Sequence, residues 1–461
     1  MTTSLVPLAV RRDSTEVNEP FHGDELGRKA IANTLTAYID RLQAGAVIAV
    51  TAPWGEGKTW FGRHWHAQLK SVQPTGAQTS APHRTAYIDA FKSDYLEDPF
   101  ILIASELSEL LDPKGNSRPL LKKAIEAGKR IVPALAKVAI GYVGGQAIDG
   151  LSSLGDELKE GLKSAAEKAA EQSEKWMENR FKDQADHARS VEGFRIALTE
   201  AAGNSDKPVI VFIDELDRCK PTFSVLLIER LKHFFDVPNL VFVLLINRTQ
   251  LERSIEAFYG VGTDGPSYLK KFVNLWFTLP APVKPDFSDN DRIERFIANT
   301  LNEYRLTSVA REAIERFTKD CTVWAHVFNM SLRDIEQMCT LFVLSKFDTR
   351  GLCTYLMALK VMHPKIFAKI RKSESDAHKE AIKLLIAGKP NAEQNAEDYP
   401  DNIIIAIREL HNAVAAGQEQ HPIDGQFSKH WRYLVGPQAF SSRNRALLKI
   451  SEIIDLPIFS N

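Results

Sequence analysis

Residues 52–59 read APWGEGKT and directly follow the apolar run 46–51. The ending Gly-Lys-Thr after a glycine-containing loop is typical of the phosphate-binding pattern G-x-x-x-x-G-K-[ST], which joins a strand to a helix. Backbone N–H groups at the start of such a helix point at phosphate oxygens, and the helix dipole favours their negative charge. We expect Lys58 to reach the β- and γ-phosphates of a nucleotide and the Thr59 hydroxyl to ligate Mg²⁺. The alternative is an ordinary corner between a strand and a helix.

The loop departs from this pattern at its first position, where Ala52 replaces glycine. A methyl group fits at this turn only if the φ angle stays negative, and Pro53 restricts the residue before it to extended angles. We therefore expect the loop to hold a nucleotide despite the replacement. The residues predicted to contact the nucleotide form one run: Trp54, Gly55, Glu56, Gly57, Lys58, Thr59 and Trp60.

A second stretch, residues 208–218, reads PVIVFIDELDR and places two acids directly after a continuous apolar run. Such a run is typical of a buried parallel strand, and active-site groups of open α/β sheets lie at the carboxyl ends of strands. We expect Asp214 to hold Mg²⁺ and Glu215 to orient or deprotonate an attacking water. The alternative is a helix N-terminus that carries acids, which is favourable in itself.

The composition is that of an ordinary globular protein, with 461 residues, 44% hydrophobic and 25% charged content, and a net charge of −1. A net charge so close to zero provides no overall electrostatic attraction to nucleic acid or to an anionic membrane. The first residues, MTTSLVPLAVRRDSTE, lack the basic start and long apolar core of a signal peptide. We expect a cytoplasmic protein with reduced thiols, because no CxxC spacing occurs among Cys219, Cys321, Cys339 and Cys353.

Apolar runs and helical periodicity alternate around the two motifs, which predicts an α/β fold with a parallel sheet flanked by helices. Strands are predicted at 46–51, 209–213, 239–247 and within 270–280, and a strand followed by a helix within 84–111. Residues 71–83, rich in Gln, Thr, Ser and Pro, are predicted to form a loop.

More residues separate Lys58 from Asp214 than a compact nucleotide-binding core needs, so we expect a helical insertion over residues 113–200. Its most apolar part, 131–154, contains charged residues and is long enough for only one membrane crossing. One crossing would separate the two motifs, so we expect no integral span, with peripheral membrane contact as the lesser alternative. Residues 151–176 indicate an amphipathic helix that either packs on its own domain or mediates self-association or partner binding.

Taken together, several stretches resemble the KAP family of P-loop NTPases: PWGEGKT, YIDAFKSDYLEDPF, IVFIDELDRCKP, LVFVLLINRTQLERSI and YLKKFVNLWFTLP. The resemblance runs from about residue 24 to about residue 371. It implies a core of the ASCE class, related to AAA+ and STAND ATPases, with Walker A and Walker B motifs and a C-terminal helical lid. The chain departs from the family at Ala52, at Phe91 where Trp is usual, and at Asn247 where Asp is common.

The expected organisation has five segments. They are the first part of the P-loop core with Walker A (22–112), the insertion (113–200), the second part of the core with Walker B (201–285), the lid (286–375) and a C-terminal helical region (376–461).

The resemblance also implies roles for further residues. Asn247 would polarise the attacking water, or it would form only a strand-end hydrogen bond. Arg218 would pair with Asp217, or act as an arginine finger across a subunit interface. SLRDIEQM at 331–338 is similar to the family's lid helix, so Arg333 would contact the γ-phosphate. The side chains of Trp54 and Phe91 are expected to pack under the loop and not to touch a base.

These expectations combine into a Mg²⁺-dependent nucleoside triphosphatase, a hydrolase that uses ATP in preference to GTP because no N/T-K-x-D motif accompanies the loop. By family analogy it would act as a conformational switch in bacterial signalling or phage defence. Two alternatives stay open: a nucleotide-gated scaffold that hydrolyses little, and a phosphotransferase acting on a small molecule.

Overall fold

The computed structural model describes most of the chain outside the middle of the predicted insertion. The described residues are 17–42, 44–71, 73–75, 78–96, 98–111, 120, 122–124, 191–234, 237–283, 290–304, 311–346, 348–374, 376–389, 401–418, 431, 433–435 and 443–455. The apolar segment 131–154 and the amphipathic segment 151–176 therefore lie outside the described residues.

The chain divides into two compact units. The sheet unit comprises Thr15–Pro53 and Lys58–Leu279, and the helical unit comprises Trp54–Gly57 and Pro280–Asn461.

The sheet unit contains a five-stranded, fully parallel sheet. Its strands are β1 (Ala46–Thr51), β4 (Thr85–Asp89), β5 (Val209–Asp214), β6 (Leu240–Ile246) and β7 (Leu275–Thr278). Their order across the sheet is β4-β5-β6-β1-β7. Every residue of β1, β5 and β6 is buried, which explains their nearly unbroken apolar sequences. The predicted parallel sheet is thus confirmed, and β6 lies between β1 and β5.

Helices cover both faces of this sheet. One core contains β-strand side chains with α1 (Arg28–Ile39) and α2 (Lys58–Lys70). The opposite core packs the alternate strand residues against the remaining helices. These are α3 (Pro99–Leu111), α4 (residues 191–203), α5 (Pro221–Leu231), α6 (Arg248–Tyr259) and α7 (Gly265–Leu269).

Two local features add to the predicted fold. The predicted loop 71–83 contains a short antiparallel hairpin of β2 (Gln73–Thr75) and β3 (Gln78–Ser80), so the loop prediction was wrong there. The last part of the predicted insertion contributes to α4, whose Phe194 ring lies 5.8 Å from that of Phe100 and 6.0 Å from that of Phe234. This end of the insertion therefore packs in the core of the sheet unit.

The helical unit is built around one continuous hydrophobic core. Residues from both the predicted lid and the predicted C-terminal region contribute to it, for example Trp324, Leu356, Ile407 and Leu447. Its helices are α8 (Asn290–Glu303), α9 (Arg311–Val327), α10 (Leu332–Leu344), α11 (Gly351–Met362), α12 (Pro364–Arg371), α13 (Ala377–Gly388), α14 (Asp401–Ala415) and α15 (Arg443–Ile454).

All four cysteines are buried as free thiols. Among the helices within the described ranges, none combines the length and apolar character needed to cross a membrane.

Helix α2 approaches the sheet closely at Gly62. A Cβ atom at this position would lie 2.1 Å from Cδ1 of Leu245 and 3.3 Å from the hydroxyl of Tyr87. Glycine is therefore required here by the space between the helix and the sheet, and it holds the start of α2 near the strand ends.

We expect Gly62→Ala to destabilise the protein by about 1–3 kcal/mol, because the added methyl group forces Leu245 out of its place in a packed core. Urea unfolding measures this as a lowered midpoint. Gly203→Ala is the matched control, because a Cβ atom at this other helical glycine meets nothing within 4 Å. Equal midpoints for the two variants would contradict the close approach.

Candidate nucleotide-binding site

The loop between β1 and α2 has the backbone that its sequence predicts. Gly55 and Gly57 adopt positive φ angles of 85° and 79°, where a side chain would be strained. Ala52 is buried and is not among the residues with positive φ. The expectation that its methyl group is accommodated at a negative φ is confirmed.

Lys58 is the first residue of α2, and its side chain is folded back into the loop. The ammonium Nζ donates to the carbonyl oxygens of Ala52 at 2.7 Å and Pro53 at 2.9 Å. Only 8% of the residue is exposed, and burial lowers the pKa of Lys58 although nearby acids oppose the effect. Within the described part of the chain it forms no salt bridge, so this buried cation is held by neutral acceptors and suits an anionic ligand.

Asp214 ends β5 and is 2% exposed. Its Oδ2 accepts a hydrogen bond from the Tyr87 hydroxyl at 2.7 Å, and its Oδ1 accepts one from the backbone N–H of Glu215 at 2.9 Å. Burial raises the pKa of the Asp214 carboxyl to about 6, because the charged form loses its hydration. A cation bound at this carboxylate would offset that cost.

Glu215 is linked to two partners at once. Its Oε1 accepts from the Thr59 hydroxyl at 3.2 Å, and its Oε2 accepts from Nε of Arg218 at 2.6 Å. Burial raises the pKa of Glu215, and the Arg218 charge acts against that rise. The residue adopts a left-handed conformation with φ 61°, which is strained for a side chain other than glycine and is common at functional sites. The structure thus brings Thr59, Asp214, Glu215 and Arg218 together.

Asn247 follows β6 and caps α6, where its side chain accepts a hydrogen bond from the backbone N–H of Gln250 at 3.3 Å. Since β6 pairs with both β5 and β1, Asn247 lies at the same edge of the sheet as Asp214. The local hydrogen bond is therefore present, and the polarisation of water by Asn247 stays a prediction.

Arg333 belongs to the helical unit, on the first turn of α10. Its backbone N–H donates to the carbonyl oxygen of Gly55 at 3.3 Å, and Gly55 belongs to the same unit. Ser331 caps this helix in a capping box with Asp334, and a Cβ atom at Gly55 would lie 2.5 Å from the Ser331 hydroxyl. Gly55 is thus required where the loop tip meets the start of α10.

The aromatic residues of the site lie where the sequence did not predict them. Trp54 is 43% exposed and Phe91 is 52% exposed, so the expectation that both pack under the loop was wrong. Trp54 lies in a surface turn, and Phe91 lies in the short 3₁₀ turn that follows β4. The Trp60 ring stacks on the His64 ring with a centroid separation of 4.0 Å, so it is engaged within the protein. The backbone N–H of Trp60 lies in the first turn of α2, where N–H groups have no partner within the helix, and it is the group of this residue that would contact a phosphate.

Two residues of the site were not predicted from the sequence. Tyr87 donates to Asp214, and Asp89, the last residue of β4, is paired in register with Asp214. The sequence contained a signal for both in the stretch YID, because this predicted strand ends on an acid just as the strand 209–214 ends on Asp214. Both residues lie at the site because β4 pairs with β5, and the order of elements along the chain does not specify that pairing.

The carboxyl of Asp214 leads to a prediction about stability and pH. Its pKa is about 6 in the fold and 3.8 ordinarily, so the folded state binds this proton more tightly than the unfolded state. The corresponding stabilisation is complete below pH 3.8 and is lost as the pH rises through about 6. Asp214→Asn lacks this titration, so we expect its free energy of unfolding to rise relative to that of wild type across this pH window and then to level off. The total change should be at most about 3 kcal/mol, because one pKa unit corresponds to about 1.36 kcal/mol.

Urea unfolding of both proteins between pH 4.5 and 8 would measure this difference. Stability curves that run parallel over the whole range would show that Asp214 does not carry a raised pKa.

Comparisons with known proteins agree with this geometry. The sequence matches the KAP family P-loop domain over residues 28–345, which is more than half of the chain. Among curated proteins, no relative matches the sequence. The structure of the Aeropyrum pernix ORC2 protein in ADPNP–ADP complexes is matched with 11% identity over 96% of this chain and 98% of that chain, but its TM-score of 0.33 supports no statement about the present protein. On the family match and the parallel sheet, the chain belongs to the KAP family of P-loop NTPases.

Proposed function

We propose that the chain is a Mg²⁺-dependent nucleoside triphosphatase that hydrolyses ATP and uses the reaction as a conformational switch. The observation that carries this proposal is the meeting of Thr59 with the acids that end β5. The Thr59 hydroxyl lies 3.2 Å from Oε1 of Glu215, and the buried Asp214 carboxyl directly precedes Glu215. These are the groups that metal binding and water activation require in one place.

The phosphates would bind at the start of α2. The first four N–H groups of a helix have no partner within the helix, and they carry the positive end of the helix dipole. Lys58 would exchange the carbonyl oxygens of Ala52 and Pro53 for phosphate oxygens, which are charged and therefore stronger acceptors. This exchange would give the buried ammonium a charged partner and so offset the free-energy cost of its desolvation.

Thr59 and Asp214 fit a magnesium ion, because a hydroxyl and a carboxylate are oxygen ligands and Mg²⁺ takes its remaining ligands from waters and phosphates. The burial that raises the pKa of Asp214 also supports this assignment, since a cation would stabilise the charged form. When bound, Mg²⁺ supplies charge neutralisation at the phosphoryl oxygens.

Glu215 would direct the attacking water, and its backbone N–H donates to the Asp214 carboxylate. In the described conformation Oε1 of Glu215 is occupied by the Thr59 hydroxyl. That oxygen has a second lone pair, with which it would accept a hydrogen bond from the attacking water. Asn247 and Arg333 are proposed as further contributors to the reaction.

The choice of ATP depends on the absence of an N/T-K-x-D motif from the sequence. A role as a switch in bacterial signalling or phage defence is proposed from the family alone.

Lys58→Ala should weaken the binding of ATP–Mg²⁺ by at least about tenfold, because it removes a charge-assisted contact worth about 1.5–3 kcal/mol. Equilibrium binding of a fluorescent ATP analogue would measure the loss. Lys70→Ala, at the exposed end of the same helix, is the matched control and should bind as wild type does. Equal affinity for Lys58→Ala and wild type would refute the assignment of the phosphate site.

Glu215→Gln preserves the shape of the side chain and removes its basicity, so the variant should bind ATP and lose turnover by about 10²-fold or more. Phosphate release would be measured for both proteins with and without small-molecule acceptors. Release by wild type without an acceptor supports the hydrolase. Binding without release would identify a scaffold, and turnover that needs an acceptor would identify a phosphotransferase.

A further inference from the structure

We propose that Tyr87 is a positioning residue for the metal site: its hydroxyl holds one oxygen of the Asp214 carboxylate, so that this carboxylate is already oriented to ligate Mg²⁺. The inference rests on the proposed function, in which Asp214 is a metal ligand, and it adds the side chain that orients this ligand. Tyr87 itself is not assigned to the nucleotide or to the metal.

The ring of Tyr87 is held by packing on one face of the sheet. Tyr87 is the middle residue of β4 and is paired in register with Phe212 of β5. The two rings stack with their centroids 5.9 Å apart, and the ring of His66 from α2 lies 5.6 Å from that of Tyr87. A Cβ atom at Gly62 would lie 3.3 Å from the Tyr87 hydroxyl, so the glycine leaves the space that this oxygen occupies. The hydroxyl therefore has a defined position beside the end of β5.

The Tyr87 hydroxyl lies in a chain of hydrogen bonds whose direction is fixed. Arg63, which follows Gly62 on α2, forms a side-chain hydrogen bond with this hydroxyl. A guanidinium can only donate and a hydroxyl has one proton, so the proton of Tyr87 is left for Asp214. The hydroxyl donates it to Oδ2 of Asp214 at 2.7 Å, and hydrogen bonds to ionised acceptors are the stronger ones. The cation at one end of the chain and the carboxylate at the other polarise the hydroxyl that joins them.

Two donors that take no part in the proposed coordination hold the Asp214 carboxylate, one on each oxygen. Tyr87 donates to Oδ2, and the backbone N–H of Glu215 donates to Oδ1 at 2.9 Å. Each oxygen keeps a second lone pair, with which it can ligate a metal. Hydrogen-bond partners of metal ligands orient those ligands, and loss of one typically lowers metal affinity by about 10–100-fold. Of the two donors, only the Tyr87 hydroxyl can be removed by a substitution of its own side chain.

A purely stabilising role for the hydroxyl predicts the opposite response to metal. A donor that served only to compensate the burial of the carboxylate would matter most in the metal-free site, because a bound cation supplies compensation of its own. The increase in nucleotide affinity on adding Mg²⁺ would then be larger without the hydroxyl than with it. An orienting role predicts a smaller increase.

The experiment measures the magnesium gain, which is the Kd of a fluorescent, non-hydrolysable ATP analogue in EDTA divided by its Kd in saturating Mg²⁺. In Tyr87→Phe, which keeps the ring and removes the hydroxyl, we expect the magnesium gain to fall about tenfold while the Kd in EDTA stays that of wild type. Tyr87→Met, which also lacks the hydroxyl, is measured alongside so that a folding defect in one variant does not prevent the test. Titrations at about pH 8.5 keep Asp214 ionised, because the pKa of its carboxyl is about 6.

Two further substitutions provide controls for the comparison. Tyr304→Phe removes another hydrogen-bonded tyrosine hydroxyl, which lies 2.8 Å from the Thr340 hydroxyl in the helical unit, and it should keep the wild-type magnesium gain. Asp214→Asn should lose the most, and adding Tyr87→Phe to it should lower the remaining gain no further, because Tyr87 acts through Asp214. A further loss in the double variant would overturn the inference.

The outcomes separate this inference from the proposed function. If wild type shows no magnesium gain, the proposed metal site is wrong and the inference is lost with it. If Asp214→Asn loses the gain but Tyr87→Phe keeps or exceeds that of wild type, only the inference is overturned. A Kd that rises by the same factor in EDTA and in Mg²⁺ would overturn it as well, because such a change indicates general damage to the nucleotide site.

Discussion

The site depends on the parallel pairing of β5, β6 and β1. Their register places Thr51 beside Ile246 and Asp214 beside Leu245, so the three strands end at one edge of the sheet. Residues far apart in the chain therefore meet there, the start of α2 with the acids that follow β5. The close approach at Gly62 keeps α2 against this edge, and it is this approach that brings the Thr59 hydroxyl within reach of Glu215.

The charges gathered at this edge are costly to the fold. Burial lowers the pKa of Lys58 and raises the pKa values of Asp214 and Glu215, so each ionised group is destabilised by its surroundings. The structure compensates in part with neutral donors and acceptors, such as Tyr87 and the loop carbonyls. Such an arrangement suits a ligand that brings both a polyanion and a cation, because each would bind the charge that the protein leaves uncompensated.

Much of this could be predicted from local sequence. The continuous apolar runs predicted the buried strands, and the residues after them predicted which side chains lie at the carboxyl edge. The same reasoning failed for the hairpin in residues 73–80, whose polar composition is typical of a loop. It also failed for Trp54 and Phe91, because an aromatic side chain outside a periodic element carries no signal of which way it faces.

The sequence by itself therefore determined the fold class, the phosphate loop and the acids that end β5, because each depends on the order of residues within one element. Only the tertiary structure decided the partners of those residues. Arg218 pairs with Glu215, a partner that the sequence did not predict, where the 3₁₀ turn follows the left-handed Glu215. Tyr87 joins the site through strand pairing alone. Side-chain partners follow from register and turn geometry, which form only when distant segments pack.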